Sequence, residues 1–291
     1  MSTIPLAKGY KPEKLSFPVY VSRKYDGVPV KMTMHPEWGW TVETRQGKAV
    51  PSVEGLMHSL YKEYLRLGVG HQISIIGEII LKDNPDAAFK DVSGVVRRQY
   101  NQKDLLTMVV FECSDEVGDT FHERYTWMQS FFTVVSKKID VSLIYQYPLK
   151  TVNGVSAITT RLLGENPNWE GLVARSHDDR YLPGKRSWGY QKILAEPTID
   201  LNIVGCEEAV SKDGEPKGMA GRLIASYKGT EIGIGPGKLT HAERVGVLQM
   251  FGRGRVHTRM AQIKYKKDDS YDALRQPTFQ CWRDDKDTPD A

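Results

Sequence analysis

Cysteine is scarce in this chain. Cys113, Cys206 and Cys281 are the three in 291 residues, far apart and in no Cys-x-x-Cys pair. That argues against a disulfide framework or a zinc knuckle and fits a reducing, cytoplasmic compartment. No uncharged apolar run approaches the roughly 18–20 residues that a membrane span needs. The N-terminal stretch Ile4-Pro5-Leu6-Ala7-Lys8 carries no apolar core of the signal-peptide kind. Internal repeats and low-complexity stretches are absent. Neither sign of charge dominates, since 40 Lys and Arg against 36 Asp and Glu leave +4. A polyanionic partner is permitted, provided that positive charge gathers on one face.

What is there is ordinary globular composition, enough for one large domain or two modest ones. Apolar alternation predicts strands at Val19–Ser22, Val28–Met34, Trp40–Thr44, Ile73–Leu81, Met108–Glu112, Leu172–Ser176 and Trp188–Ile193. Helical spacing predicts a helix over Val53–Leu67, with Leu56, Leu60, Tyr64 and Leu67 on one stripe and Gly68 as its stop. A second is predicted over Tyr125–Lys138, with Trp127, Phe131, Val134 and Val135 inward. Strands and helices mix without a strict βαβ rhythm, which reads as α+β with largely antiparallel sheets.

Composition shifts near Ala195-Glu196-Pro197, so we expect one domain over 1–196 and another over 197–291. The second shows short strands punctuated by glycine, at Asp200–Glu207, Gly221–Tyr227, Glu231–Gly235 and Ala261–Lys267, the pattern of a small β-barrel. Thr240-His241-Ala242-Glu243 is a capping box opening a helix that runs to Phe251 and stops at Gly252. The tail from Asp284 to Ala291 is acidic and is expected to be mobile, with the exception of the patterned segment through Lys286.

Polar residues recur at the ends of the predicted strands. Lys24-Tyr25-Asp26-Gly27 closes the first apolar run, and a lysine held between a strand and a turn glycine is placed to act as a nitrogen nucleophile. Taken alone the tetrapeptide reads as a hairpin turn with a solvated lysine. Arg45 follows the third strand. Glu78 interrupts Ile75-Ile76-Gly77-Glu78-Ile79-Ile80, where a carboxylate sits badly unless paired or turned outward. Phe111 ends one apolar strand and reads equally as core. Glu170 begins another and by itself is a loop carboxylate. Lys192 lies near the end of the last, and Phe279-Gln280-Cys281-Trp282-Arg283-Asp284-Asp285-Lys286 closes the chain's patterned part.

Taken in order, these segments resemble motifs I, Ia, III, IIIa, IV and V of the covalent nucleotidyltransferase superfamily. Within it they look like the small ATP-dependent DNA ligases of bacteriophage type, and Arg283-Asp284-Asp285-Lys286 resembles the Arg-x-Asp-Lys motif VI of that family. The resemblance implies a nucleotidyltransferase (adenylation) domain followed by an OB-fold β-barrel. It implies ATP and Mg2+ as cofactors and nicked double-stranded DNA as partner. Lys24 matches the lysine that attacks the α-phosphate and becomes lysyl-AMP, which requires an uncharged amine. Glu78 would contact ribose and, with Glu170, hold divalent metal. Arg45 would touch the ribose or the 5′-phosphate, Phe111 would stack on adenine, and Lys192 would bind the α-phosphate. Arg283 and Lys286 would orient pyrophosphate in the first step, with the barrel closing over ATP and then swinging away to clamp DNA.

Two positions depart from the family pattern. Pro29 stands where motif I carries arginine, and Arg23, Arg97 and Arg98 are candidate replacements. Motif V commonly has two lysines one residue apart, whereas here only Lys192 is present, with Tyr190 or Leu194 in the other slot according to register. Basic residues of the second domain, among them Lys212, Lys217, Arg222, Lys228, Lys238, Arg259, Lys264, Lys266, Lys267 and the Arg253-Gly254-Arg255 cluster, are candidates to follow duplex phosphates. The compact length leads us to expect a monomer. An ATP-dependent RNA ligase, a GTP-using capping enzyme and an inert DNA-binding OB protein remain open alternatives.

Overall fold

The computed structural model describes residues 4–135, 137, 139–195, 197–251, 258–266 and 274–291. The chain divides into two compact units, one ending at Ala195 and the other following it. In the first unit the strands are β1 (Leu6–Gly9), β2 (Val19–Lys24), β3 (Val28–His35), β4 (Gly39–Thr44), β5 (Ile73–Leu81), β6 (Leu106–Cys113), β7 (Val141–Leu143), β8 (Tyr147–Leu149), β9 (Gly171–Ser176) and β10 (Arg186–Leu194). Its helices are α1 (Glu54–Arg66), α2 (Phe89–Val96), α3 (Phe121–Val134) and α4 (Val152–Glu165).

The strands form two five-stranded sheets, ordered β4-β3-β5-β6-β7 and β1-β10-β9-β2-β8. Neighbours are antiparallel except β1 with β10 and β6 with β7. One face of the first sheet is covered by helices: Met32, Met34, Ile73, Ile75 and Met108 share a core with Leu56, Leu60 and Tyr64 of α1 and Phe121 and Met128 of α3. A 13-residue helix such as α1 is marginal alone, so this stripe is what stabilises it. One face of the second sheet packs Val19, Val21, Leu172 and Ala174 against Val155 and Leu162 of α4. The opposite faces of the two sheets supply side chains to a common cleft.

Several expectations change. The second predicted helix begins at Phe121, four residues before Tyr125, because Thr120 and Glu123 form a full capping box. It ends at Val134, which is 53% exposed rather than inward, whereas Phe131 and Val135 are buried; Lys138 lies outside the described residues. α2, α4 and the short β1, β7 and β8 are additions. α4 contains Gly154, Gly164 and three Thr or Ser residues, poor helix formers, and starts on the Thr151 hydroxyl, which accepts from Gly154 N–H at 3.1 Å.

The second unit contains β11 (Thr198–Val210), β12 (Pro216–Tyr227), β13 (Thr230–Ile234), α5 (His241–Phe251), β14 (Arg259–Lys266) and β15 (Arg275–Trp282). β11, β12 and β14 are longer than predicted, β13 keeps the predicted length one residue earlier, and β15 is an addition. The five run β13-β12-β11-β14-β15 in one antiparallel sheet, its core formed by Leu201, Ile203, Leu223, Ile234, Ile263 and Phe279 with Val247 and Phe251 of α5. The sheet curls until its edges meet at one bridge, Gly235 to Thr278, where Gly235 N–H donates to Pro277 O at 2.9 Å. A single bridge joins the edges, not a continuous ladder. The Thr240–Glu243 capping box is formed, with Thr240 N–H donating to the Glu243 carboxylate at 2.7 Å. Gly252, Arg253, Gly254, Arg255 and Lys267 lie outside the described residues.

The acidic tail is held, not loose. Asp200 N–H donates to Asp290 Oδ2 at 2.7 Å, and Asp290 N–H donates back to Asp200 O at 2.9 Å.

Candidate active site

Lys24-Tyr25-Asp26-Gly27 is not a hairpin turn. β2 belongs to the second sheet and β3 to the first, so these residues carry the chain from one sheet to the other. Each has a job in that crossing. A Cβ on Gly27 would lie 2.2 Å from Ile79 O, so only glycine lets β3 start against β5. The Asp26 carboxylate accepts from Phe89 N–H at 3.1 Å, satisfying one of the free donors at the start of α2. Lys24 is left facing the cleft, on the same side of β2 as Ser22.

Register explains what joins it there. Lys24 lies opposite Gly171 on β9, so the preceding residue, Glu170, falls beside it and its carboxylate pairs with the Lys24 ammonium. Gly171 has φ of +154° and a Cβ there would sit 2.2 Å from Ile193 O, which permits this close approach of β9 to β10. Val173 pairs with Lys192, and Arg175 with Tyr190, so Lys192 and Tyr190 occupy successive cleft-facing positions of β10. From the first sheet, Glu78 lies opposite Pro29 on β3 and opposite Val109 on β6. A bulge between Ile76 and Gly77 leaves Phe111 as the extra residue on β6, and such an insertion re-aims a side chain; Phe111 lines the cleft. Arg45 follows the end of β4 and lines it too.

Lys24, Arg45, Glu78, Phe111, Glu170 and Lys192 therefore line one cleft of about 210 Å³. Arg283 and Lys286 belong to the second unit. There Arg283 pairs with Asp200 at 2.9 Å and Asp285 at 2.9 Å, and Lys286 with Asp200 at 3.0 Å and Asp290 at 2.5 Å. These partners fix the orientation of motif VI and hold Asp285 and Asp290 below the usual carboxylate range.

Glu78 is half-buried on the wall of the cleft. It shares a face of β5 with Ile80, opposite to Gly77 and Ile79, but that face is covered by the cleft's other wall. Burial pushes its carboxyl up to about 8, with the Lys24 charge pulling the other way. Burial also raises Glu170, again against the pull of Lys24. Two carboxyls that burial holds above their ordinary values, facing a lysine, form the kind of titratable cluster in which chemistry is done.

The structure also brings in residues that the sequence reading did not select: Arg175, Arg186, Gln146 and Ser22 line the cleft. Period-2 alternation along β9, applied outward from Val173, would have found Arg175. Of the three candidates to replace the arginine missing at Pro29, Arg23 lines the cleft and Arg97 and Arg98 do not. Arg23 is bound to the 85–86 loop, donating to Pro85 O at 2.8 Å and pairing with Asp86, with its guanidinium over Tyr25 and Trp169. Of the two candidates for the second motif V slot, the cleft takes Tyr190 and not Leu194.

Behind this wall lies a buried ionic network. Arg124 of α3 donates to Glu112 at 2.9 and 3.1 Å, Glu112 pairs with Arg175, and Arg175 donates to Asp179 at 3.0 Å. Ser187 Oγ donates to the other Asp179 oxygen at 2.6 Å. It ties β6, β9, β10 and α3 together beneath the cleft.

Two facing sheets, a lysine at their crossing and paired carboxyls beside it define a nucleotidyltransferase of the covalent, ligase type. Residues 6–193 match the family model described as ATP dependent DNA ligase domain, well over half the chain, and the chain belongs to that family of ATP-dependent DNA ligases. No curated sequence matches it. Among solved structures it is similar to a chain described as Pmar-Lig_Pre., with a TM-score of 0.67 and 18% identity over 97% of this chain and 67% of that one. A structure from work on DNA binding by Lig E DNA ligases gives a TM-score of 0.63 and 17% identity, covering 97% of this chain and 100% of that one. The ATP-dependent DNA ligase of bacteriophage T7 in complex with ATP gives 0.59 and 15%, covering 97% and 98%. At these identities the likeness establishes the α+β fold with its adenylation and OB-type parts.

Proposed function

We propose that this enzyme seals 5′-phosphate/3′-hydroxyl nicks in duplex DNA through lysyl-AMP and DNA-adenylate intermediates, with a nucleotidyltransferase domain to about residue 196 and an OB-fold domain beyond it. The observation that carries the reading is the convergence of Lys24, Glu78, Glu170, Arg45 and Lys192 on one cleft.

In the first step the uncharged Lys24 amine attacks the α-phosphorus of ATP. The phosphorus–nitrogen bond forms as the bond to the β-phosphate oxygen breaks, pyrophosphate leaves with that electron pair, and the nitrogen sheds one proton. In the second, an oxygen of the nick 5′-phosphate attacks the same phosphorus. The lysine nitrogen departs with the electron pair of the phosphorus–nitrogen bond and takes up a proton. In the third, the 3′-hydroxyl attacks the adenylated phosphate, sheds its proton and expels AMP. Each is an in-line displacement, so catalysis consists of positioning and of neutralising developing charge. Lys192 and Arg45 supply positive charge toward the phosphates and ribose, and Phe111 supplies a face for adenine. Arg283 and Lys286 are assigned to the pyrophosphate.

Glu78 and Glu170 would hold Mg2+. Two carboxyl groups on one cleft fit a hard cation that takes few protein oxygens and completes its shell with water and phosphate, and no larger cluster of acidic, His or Cys ligands occurs among the described residues. Bound there, Mg2+ would neutralise charge on the phosphates.

Duplex phosphates are the expected contacts for exposed basic residues, and binding should weaken steeply with salt. Arg222 and Arg259 are occupied in the structure by Glu207 and Asp284, so DNA would have to displace those carboxylates. Among the described residues no helix is long and apolar enough to cross a membrane. A nick offered in all-DNA and all-RNA duplexes, with ATP or GTP, tests the reading. Sealing of the DNA nick with ATP is expected; sealing confined to RNA, or to GTP, overturns it.

A further inference from the structure

Tyr190 holds a position in the cleft wall that the ligase reading leaves without a role. It stands on β10 two residues before Lys192, and side chains two apart on a strand point the same way with their stems about 7 Å apart. Both line the cleft. Its ring is braced from behind: the Arg175 guanidinium lies 4.4 Å from the ring centroid and is itself locked by Glu112 and Asp179. Arg45 and Glu78 are close enough to act on it electrostatically. Its hydroxyl has no hydrogen-bond partner among the described residues. Burial pushes that hydroxyl's pKa up to about 12, so it keeps its proton at any working pH.

A fixed aromatic ring carrying one unspent donor, beside a lysine and facing a nucleotide site, is a hydrogen-bond donor waiting for an acceptor oxygen. Resting on the ligase reading, we propose that the Tyr190 hydroxyl donates to a phosphate oxygen of the nucleotide during attack by Lys24, working alongside Lys192 as a neutral second donor. A phenol here orients the phosphate without adding charge. With the attacking Lys24 amine uncharged, the cation count of the cleft rests on Arg45, Arg186 and Lys192, since Arg23 is paired with Asp86 and Arg175 with two carboxylates.

The test is single-turnover adenylation of the full chain with α-phosphate-labelled ATP and magnesium, quenched in detergent, for the native protein, Tyr190→Phe and Tyr190→Lys. Tyr190→Phe keeps the ring and its Arg175 contact, so its thermal midpoint should match the native one. Its adenylation rate at saturating ATP should fall about 10-fold, the loss expected for one hydrogen bond to a charged oxygen. The same deficit should appear with 2′-deoxy- and 3′-deoxy-ATP, because the contact is to phosphate. Tyr190→Lys should recover most of the rate, since an ammonium donates to the same oxygen. A native rate in Tyr190→Phe overturns the proposal alone, and so does a deficit that vanishes with either deoxynucleotide, which would make the contact one to ribose. No label on the native protein overturns the ligase reading and this proposal with it.

Discussion

The ammonium of Lys24 is ion-paired with the carboxylate of Glu170, across the register that sets Lys24 opposite Gly171. A charged ammonium has no free electron pair with which to attack phosphorus, so in the proposed mechanism the pair is a resting arrangement that separates in the first step. Glu170→Gln should lower the rate of covalent adenylation by about 10²-fold, within the range for a group that handles a reacting proton or its charge. Single-turnover labelling at saturating ATP checks this.

Glu78 costs stability at alkaline pH. Its carboxyl is raised to about 8 in the folded protein, chiefly by burial, from an ordinary value near 4.5. Between those values the folded state binds the proton more tightly than the unfolded state, so stability falls as pH rises from about 4.5 to 8. Below that window the group costs nothing; above it the full penalty is present. Glu78→Gln should raise the thermal midpoint at pH 8.5 and leave it nearly unchanged at pH 4.5, while lowering adenylation. Thermal melts at the two pH values give the comparison.

Gly27 fills a gap that no other residue fits. A methyl group there would lie 2.2 Å from Ile79 O and 2.8 Å from a Glu78 side-chain carbon, forcing β3 away from β5 close to Lys24. Gly27→Ala should cost about 3 kcal/mol, the upper part of the range for overpacking, read as a lower urea midpoint.

Arg124 is fully buried on α3 and holds Glu112 through two hydrogen bonds. Arg124→Leu leaves a buried carboxylate with one cation in place of two. The expected loss is about 3–5 kcal/mol, since breaking a buried pair strands a charge. Urea denaturation would register it, and partial restoration by Glu112→Gln in the same chain would locate the effect in that pair.

The α+β character of the first unit, with largely antiparallel sheets, was legible because its strands are apolar runs. Glu78 stood out because it interrupts such a run, whereas Lys24 and Glu170, at the end of β2 and just before β9, stood out only through the order of the motifs. What escaped depended on partners remote in sequence. Arg124 on an amphipathic helix reads as solvent-facing until Glu112 and Asp179 are brought to it. Tyr190 was undecided because Tyr190 and Leu194 both share the Lys192 face of β10, so alternation alone does not choose between them; the cleft does. The tail was misread as loose because its acidic residues have their partners, Arg283, Lys286 and the Asp200 backbone, in or behind motif VI itself. β1, β7 and β8, at three or four residues each, are too short to leave a pattern.

The central claim is that the Lys24 amine forms a bond to the α-phosphorus of ATP. Incubation of the purified chain with magnesium and ATP labelled at the α-phosphate, followed by denaturing electrophoresis, tests it directly. The account predicts an acid-labile label on the native protein and none on Lys24→Ala; a label of undiminished strength on Lys24→Ala would contradict it.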